Sequence, residues 1–470
     1  MQNIILPLYL KAALRFTLGR CIDGTRIESE TMIKRSMLKE YLKYVIPTML
    51  TFTLTCVYSI IDGIFVGNFV GDAGLAGINV AFPLVALIMA VGTGIGMGGA
   101  VIASIELGRK NEKGNFAAYG NTFLMMLIAA VPVMALLLAA PHDLCALLGG
   151  RGETLEQATA YISVIALGAP FQIFATGCLP LIRNRGRVGY AMFTSITGGL
   201  VNVALDFAFV VVIPWGVKGA ALATVIAQVA ACALCIAFFL RRKNRVPLRF
   251  IRLSASTSAH TLKLGLAPFG LTILPEATVV AINVNAGIYG GEVAIAAYAV
   301  IAYVANVIQL LIQSVGDGSQ PILSKHYGAG DYDTVRRLRN TNYCLAISIG
   351  ALGLLTTYLL RDQIPMLFGA SAETASLIAY ALPIFSIAYI FYGFTHTSTS
   401  YFYAVDDARA SSAVVYGEAC LIVLCVFGAG ILFGLDGIWL SVTFVQSILS
   451  IAAVLLLRAR KKRLGEASGV

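Results

Sequence analysis

Charged residues are scarce in this chain of 470 residues. Asp, Glu, Lys and Arg together make up 12% of it, whereas soluble domains carry roughly 25%. Hydrophobic residues make up 58%, and apolar runs recur along nearly the whole length. This composition excludes a soluble globular protein, because no soluble core could hide so much apolar surface. The bilayer must be the solvent for most of the chain.

The chain also lacks the motifs of several other classes of protein. Most of its nine cysteines lie within apolar runs, which excludes a disulfide framework. Cys232 and Cys235 spell CxxC on one turn of an apolar helix, where buried cysteines act as small hydrophobes. Glycines 94, 96 and 99 spell GxGxxG without the preceding strand that a dinucleotide site needs. With no P-loop and no nucleophile constellation, we expect neither an enzyme nor a bound cofactor.

Apolar runs of about 20 residues, the length that spans a bilayer, occur twelve times. The predicted spans are 44–66, 77–104, 118–140, 158–181, 189–213, 218–240, 262–288, 294–318, 341–360, 375–397, 411–434 and 437–457.

Positive charge is distributed almost entirely to one side of these spans. Of the 34 Lys and Arg residues, only Arg151, Lys218 and Arg361 fall in connections on the other side. Cytoplasmic loops carry such an excess, so we expect both termini to be cytoplasmic in a bacterial inner membrane. The net charge of +10 is then a topology signal and a contact for lipid headgroups, which argues against nucleic-acid binding.

The two halves of the chain resemble each other at an offset of about 220 residues. Gly96, Gly98, Ile102, Ser104 and Gly108 recur as Gly316, Gly318, Ile322, Ser324 and Gly328. Near the ends of the halves, Gly219, Leu222 and Gln228 recur as Gly437, Leu440 and Gln446. Matches in the same order indicate an internal duplication. Six spans per half make the repeats parallel, which is a transporter architecture.

The fold predicted from this pattern is an all-α polytopic membrane protein of twelve transmembrane helices, arranged in two six-helix lobes related by a parallel pseudo-twofold repeat. The predicted units are a cytoplasmic extension (1–37), an N-terminal lobe (38–240), a cytoplasmic linker (241–261), a C-terminal lobe (262–457) and a basic cytoplasmic tail (458–470). We expect a monomer.

Polar residues at matched depth in the N-terminal half are the first candidate site. At 1.5 Å per residue, Asp62, Asp206 and Thr224 each lie roughly 10 Å below the outer surface. Asn202 lies one turn deeper on the face of Asp206. Ionisable groups in the bilayer are costly and mark function. An oxygen-rich cluster binds a hard cation, or its carboxylates share a proton. A structural hydrogen-bond network is the alternative.

Glu276 is the second candidate, because it lies in the middle of span seven. It could bind a proton or a cation, pair with a cationic substrate, or simply pair with a neighbouring helix. Asp317 and Glu418 are placed nearer the cytoplasmic ends of their spans, where headgroup water would solvate them. His396 is interpreted as a buried histidine with its hydrogen bonds satisfied.

Several segments, taken in order, resemble the multidrug and toxic compound extrusion (MATE) transporters, especially the bacterial DinF-like branches. They are IIDGIFVG (60–67), ELGRKN (106–111), RNRG (183–186), NVALD (202–206), GAALAT (219–224) and GSQPILSKHYGAG (318–330). The resemblance covers about residues 38–457.

The resemblance implies a secondary transporter that exports small, often cationic, drug-like molecules by alternating access in exchange for H⁺ or Na⁺. The cation site of that family matches Asp62, Asn202, Asp206 and Thr224, and a glutamate important in other branches matches Glu276. Those branches pair the glutamate with an aspartate in span ten, which here has none. A lipid-linked precursor flippase is the alternative function, although it would need basic residues in the cleft.

Overall fold

The structure, a computed structural model, describes residues 35–467. The side chains at positions 35, 36, 59, 60, 62–64, 72 and 461–467 are not included in that description. The predicted extension over 1–37 therefore falls almost wholly outside the described residues. The same holds for the carboxylate of Asp62, although the backbone at that position is helical.

Within residues 35–467 the chain forms twelve helical segments of membrane-spanning length, and it forms no strand. The first six are α1 (Arg35–Phe69), α2 (Asp72–Gly108), α3 (Glu112–Ala139), α4 (Gly152–Asn184), α5 (Val188–Asp206, continued by a π-helix over Phe207–Val212) and α6 (Gly216–Leu240). The other six are α7 and α8 (the two arms of Ala255–Gly328, which bends at Gly291), α9 (Tyr332–Leu359), α10 (Ala372–Ser386 with Ala388–Ala404), and α11 and α12 (the two arms of Ala408–Ala467, which bends at Gly434).

Composition and length alone identify fewer spans. Eight helices in the described part of the chain are apolar and long enough to cross a membrane, and the two pieces of α10 make a ninth. Two of the eight are double, because the bends at Gly291 and Gly434 each join two spans. The helix α1 has charged residues in its first turns before its apolar stretch. The prediction of twelve transmembrane helices in two lobes is confirmed.

The predicted linker over 241–261 is shorter than expected. The helix α7 begins at Ala255, seven residues before the predicted span, and the Ser254 side chain caps it by accepting a hydrogen bond from the Thr257 amide at 3.4 Å. Only residues 241–254 lie outside α-helix, and they include one 3₁₀ turn over Leu248–Phe250. A polar cap, rather than the onset of apolar residues, sets the start of this helix.

The internal repeat is visible in the backbone. Residues with positive φ recur in pairs 218 or 220 positions apart, at the connections between helices. The pairs are Gly71 and Gly291, Lys110 and Gly330, Gly149 and Gly369, Gly186 and Asp406, and Gly216 and Gly434. Caps recur as well: Asn111 and Asp331 each accept a hydrogen bond at 3.1 Å from the amide three residues later. The duplication read from the sequence is therefore a duplication of turns.

Each half buries an apolar core of its own. One core is formed by residues between Ala81 and Ile251 of the N-terminal lobe. The other lies in the C-terminal lobe and also takes in residues of α1 and α2, among them Tyr41, Val45 and Met97. The first two helices therefore connect the lobes. The exact lobe boundaries proposed from the sequence stay a prediction.

The lobes meet through close backbone crossings of α2 with α7 and α8. A Cβ placed on Gly108 of α2 would overlap the Lys325 carbonyl of α8, and one on Gly328 would overlap the Ile105 carbonyl. These two contacts are related by the repeat. Farther along α2, a Cβ on Gly98 would overlap the Thr261 carbonyl of α7. Only glycine allows helices to approach so closely.

We call the end of the bundle that holds Gly108 and Gly328 the basic end, because the Lys- and Arg-rich connections lie there. Polar contacts reinforce the closure of this end. The Tyr41 hydroxyl of α1 donates to Asn342 Oδ1 of α9 at 2.7 Å, and Asn342 Nδ2 donates to Ser319 Oγ of α8 at 2.7 Å. All three residues are buried. A helix of the first lobe is thus tied to two helices of the second.

Residues 241–254 pack against α3 at the basic end. The Phe250 ring stacks on Phe116 with centroids 5.6 Å apart. Asn121 Oδ1 accepts hydrogen bonds from the Ser254 amide at 2.9 Å and from the Ser258 hydroxyl at 3.0 Å. The connection between the lobes is therefore docked on the protein.

Replacement of Gly108 by alanine should lower the melting temperature, because the new Cβ would overlap backbone, which cannot move aside. Overpacking of this kind costs about 1–3 kcal/mol. The matched control is Gly428→Ala, in a helix where nothing lies within 4 Å of the added Cβ; this variant should match or exceed wild type. Thermal unfolding in detergent measures both variants, and equal melting temperatures would contradict the crossing.

A histidine pair at the basic end makes a second prediction. His260 Nε2 lies 2.6 Å from Asp406 Oδ1, outside the apolar stretch of span seven. This hydrogen bond raises the pKa of His260 above its ordinary 6.5, against burial and the nearby charges of Lys263 and Arg109, which lower it. The pair therefore stabilises the fold fully below pH 6.5, and this contribution is lost as the pH rises through the raised value.

The wild-type melting temperature should fall between pH 6 and 8 by more than that of Asp406→Asn. The variant His260→Gln removes the titrating group itself, so it should lose the same part of the pH dependence. If wild type and both variants showed identical pH profiles, the contact would have no role in stability.

Candidate functional site

The polar cluster predicted in the N-terminal lobe is built on α5 and α6. Asn202 and Asp206 lie one turn apart on α5, and Thr224 lies on α6. Asn202 Nδ2 donates to Thr224 Oγ1 at 3.4 Å, and the Thr224 hydroxyl donates to the Ala220 carbonyl at 3.1 Å. Asn202 is 7% exposed and Asp206 is fully buried. The structure thus joins Asn202 to Thr224 and places Asp206 one turn away.

The α5 helix changes its winding directly after Asp206. Residues Phe207–Val212 form a π-helix, which ends where the Trp215 amide donates to the Phe209 carbonyl at 2.9 Å. π-helical turns are rare and are frequent at functional sites. Here the turn lies between the buried carboxylate and the connection to α6. It gives the backbone around Asp206 a second winding available within the same helix.

The helix α1 runs beside this cluster in a register that the ring contacts fix. A Cβ on Gly199 of α5 would lie 2.7 Å from the Tyr58 ring of α1. Two turns farther along, the Phe65 and Phe207 rings have centroids 6.3 Å apart. The backbone of α1 at position 62 therefore runs alongside the stretch of α5 that carries Asn202 and Asp206.

Glu276 lies apart from this cluster, in α7 of the other lobe. Its side chain is half-buried, and it lies within electrostatic reach of Tyr298 on α8. Among the ion pairs within the described residues, none includes Glu276. The aspartate that would accompany it on α10 is absent from the sequence.

The donor set of the N-terminal cluster is an amide, a hydroxyl and a carboxylate. Oxygen ligands of this kind suit hard cations, and a fully buried carboxylate can also exchange a proton. In the part of the chain that the structure describes, no group of three or more His, Cys, Asp or Glu side chains could hold a metal ion. The arrangement is therefore suited to a monovalent cation or a proton rather than to a transition metal.

The sequence-based interpretation of Asp317 and Glu418 is wrong. Asp317 of α8 is 7% exposed and accepts a hydrogen bond from the Tyr403 hydroxyl at 3.0 Å. Glu418 of α11 accepts one from Gln446 Nε2 at 2.6 Å. Each lies ten or eleven residues, about 15 Å, from the basic end of its helix. Both carboxylates thus lie well inside the bilayer depth, away from headgroup water.

His396 of α10 also differs from the expectation. It is buried, at 2% exposure, but neither ring nitrogen has a hydrogen-bond partner among the described residues. The sequence shows a polar stretch over 395–400 within an apolar span, and that stretch was the available signal. The contacts between helices that make it a cluster are visible only in the structure.

Comparison with known proteins identifies the class of this two-lobe, twelve-helix fold. The sequence profile of the MatE family matches residues 47–208 and 277–429. These ranges cover most of both lobes, one in each half of the internal repeat. The chain belongs to the MatE family of MATE transporters.

Individual relatives agree in length and fold. The chain is 26% identical over 439 residues to the multidrug export protein MepA of Staphylococcus saprophyticus, covering 92% of this chain and 96% of the relative. A crystal structure of a MATE protein in complex with MaL6 superposes with a TM-score of 0.86 at 20% identity, covering 91% and 97% of the two chains. An outward-facing multidrug resistance MATE transporter of the MOP superfamily superposes with a TM-score of 0.85 at 22% identity, covering 91% and 96%.

Two adjacent glycines of α5 provide a test of the register around the cluster. Gly199→Ala should lower the melting temperature, because its Cβ would press on the Tyr58 ring and separate α1 from α5. Gly198→Ala is the control, since its Cβ would have only ordinary contact with Ala231 at 3.5 Å. We expect a loss of about 1–3 kcal/mol for the first variant and none for the second. Equal thermal stability of the two variants would mean that Tyr58 does not pack on Gly199.

Proposed function

We propose that this chain is a secondary active transporter that exports small, often cationic or amphipathic, drug-like molecules in exchange for H⁺ or Na⁺. Membership of the MatE family and the name of its relative, a multidrug export protein, support export of drugs. The observation that carries the coupling proposal is the polar contact of Asn202 with Thr224 beside the fully buried Asp206. Substrates would be small molecules, with membrane lipids as the surroundings.

In the proposed mechanism, Asp62 and Asp206 take up the coupling cation, with Asn202 and Thr224 as neutral oxygen ligands. Uptake neutralises buried negative charge and changes the packing of α1 against α5 and α6. Drug and cation then favour different states of the same protein, which is all that exchange requires. Each charge that moves down a potential of 100 mV supplies about 2.3 kcal/mol. No covalent chemistry and no cofactor are involved.

Alternating access in this proposal is a rocking of the two lobes about the crossing of α2 with α8. Because Lys and Arg are concentrated at the basic end, we place that end, with both termini, on the cytoplasmic side of a bacterial inner membrane. The close contacts at Gly108 and Gly328 then close the cytoplasmic side, which supports an outward-facing state. These contacts would separate in the inward-facing state.

A flippase for lipid-linked precursors would need uncompensated positive charge in the cleft to hold a diphosphate. The buried guanidinium of Arg183 lies within electrostatic reach of the Asp317 carboxylate. The two charges balance, so this arginine does not favour the flippase alternative. Glu276, which adds negative charge to the C-terminal lobe, supports a cationic substrate.

Ethidium efflux from proteoliposomes, with Na⁺ and H⁺ gradients imposed separately, tests the proposed exchange. Wild type should export ethidium under one of the gradients, and Asp62→Asn should lose that export because its side chain can no longer change charge. The control is Asp362→Asn, which removes a carboxylate whose side chain is 67% exposed, and it should export as wild type does. Gradient-driven export retained in Asp62→Asn would overturn the coupling role of the N-terminal cluster.

A further inference from the structure

Glu418 of α11 belongs to a polar chain that crosses three helices of the C-terminal lobe. Gln446 Nε2 of α12 donates to Glu418 Oε1 at 2.6 Å. The Thr395 hydroxyl of α10 donates to Gln446 Oε1 at 2.7 Å. The amide of Gln446 is thereby fixed in one orientation, with its donor on the carboxylate and its acceptor on the hydroxyl.

Glu418 has no cationic partner in this chain of contacts. None of the ion pairs within the described residues includes it, and its recorded hydrogen bond comes from a neutral amide. A carboxylate at bilayer depth without a counter-charge costs several kcal/mol. The binding of a proton removes that cost and leaves the hydrogen bond with Gln446 possible.

The other half of the molecule shows that this carboxylate is not required for packing. Gln228, the counterpart of Gln446, donates from Nε2 to Gln172 Oε1 of α4 at 2.7 Å. This link between α6 and α4 repeats the link between α12 and α10. At the same offset of 218, the residue that corresponds to Glu418 is Leu200, which is 66% exposed. The first lobe thus keeps the amide link without any acid on it.

The C-terminal lobe likewise lacks the acid of the first lobe. The positions 218 residues after Asn202, Asp206 and Thr224 are Cys420, Leu424 and Val442. Each lobe therefore has its own carboxylate, placed at a different point of the same architecture. The carboxylate of the C-terminal lobe is about one and a half turns closer to the basic end.

A route of titratable side chains leads from Glu418 toward the contact between the lobes. From α10, Tyr392 lies within electrostatic reach of both Glu418 and Asp317, and its ring centroid is 5.4 Å from that of His396. The His396 ring faces α8, where a Cβ on Gly316 would lie 3.9 Å from Nδ1. Gly316 precedes Asp317, whose own neighbours are Tyr403 and Arg183.

His396 is the second, independent sign of a proton site. It is 2% exposed and both ring nitrogens lack partners in the part of the chain that the structure describes. A buried imidazole without hydrogen bonds is costly. A group that can both accept and donate a proton, lying between two buried carboxylates, is suited to relay protons.

We propose that Glu418, held by Gln446 and Thr395, is a second proton-binding site, which Tyr392 and His396 connect to Asp317 and the contact between the lobes. The proton binds to a carboxylate oxygen of Glu418 to give a neutral carboxylic acid. This inference extends the proposed antiport, because it assigns H⁺ to a carboxylate of the C-terminal lobe in addition to the N-terminal cluster.

Infrared spectroscopy of the full-length protein in lipid detects proton binding without any transport. On titration with acid, wild type should gain a carbonyl band of a protonated carboxylic acid that is absent from Glu418→Gln. This substitution keeps a side chain of the same shape that can still bond to Gln446. The control is Glu292→Gln, at an exposed position, which should retain the band. A spectrum of Glu418→Gln identical to that of wild type would overturn the proposal.

A second variant separates a proton site from a structural role. In Gln446→Leu the Glu418 band should persist at a higher frequency, because the carbonyl loses the hydrogen bond from the amide. If Na⁺ at constant pH removed the wild-type band, the site would bind Na⁺, and the assignment of H⁺ would be overturned.

Ethidium efflux driven by a proton gradient distinguishes the failure of this inference from the failure of the proposed function. If wild type exports under that gradient, Glu418→Gln should fall to the rate seen without a gradient. Unchanged export would overturn the coupling role of Glu418 and leave the proposed function intact. A titrating Glu418 band in a wild-type protein that exports under no gradient would confirm the proton site while the proposed function fails.

Discussion

The crossing of α2 and α8 is the constraint on which the rest of the structure depends. At Gly108 and Gly328 each helix places its backbone where a Cβ of the other would have to be. This contact lies on the pseudo-twofold axis, so it brings equivalent parts of the two repeats together. The remaining helices pack around this pair, and the positions of both polar clusters relative to each other follow from it.

The repeat preserves backbone geometry more strictly than it preserves side chains. Turns with positive φ recur at constant offset even where one member is Lys110 or Asp406 rather than glycine, although a non-glycine residue there costs about 1 kcal/mol or more. The acids, by contrast, do not recur. Asp206 and Glu418 lie on equivalent helices, α5 and α11, but at different depths. Two lobes of the same shape therefore present different charge, as a protein needs if it handles a cation and a cationic molecule by separate groups.

Much of this fold could be predicted from the sequence because its signals are local. Apolar runs indicate the spans, basic connections indicate their order, and the offset of 220 residues indicates the duplication. The depth argument also selected Asn202 and Thr224, which the structure joins. Depth could be counted from the helix ends, since Asp206 and Thr224 lie on consecutive helices separated by a short connection.

The C-terminal cluster could not be predicted in the same way. Thr395, Glu418 and Gln446 lie on three different helices, and their contacts depend on rotations of those helices that apolar periodicity does not fix. The same limit explains the error on Asp317 and Glu418, whose surroundings depend on Tyr403 and Gln446 rather than on their distance from the helix ends. The start of α7 differed because a serine cap, not hydropathy, determines it.

The Gly108–Gly328 contact has a consequence for biosynthesis. These two glycines are 220 residues apart, and chains emerge from the ribosome at about 5–20 residues per second. The glycine face of α2 must therefore remain in lipid, or against a transient neighbour, for roughly ten seconds or more before α8 arrives to cover it. During this interval the N-terminal half already holds its buried Asp206. The first lobe must consequently be stable enough on its own to retain a carboxylate in the bilayer while it waits for its partner.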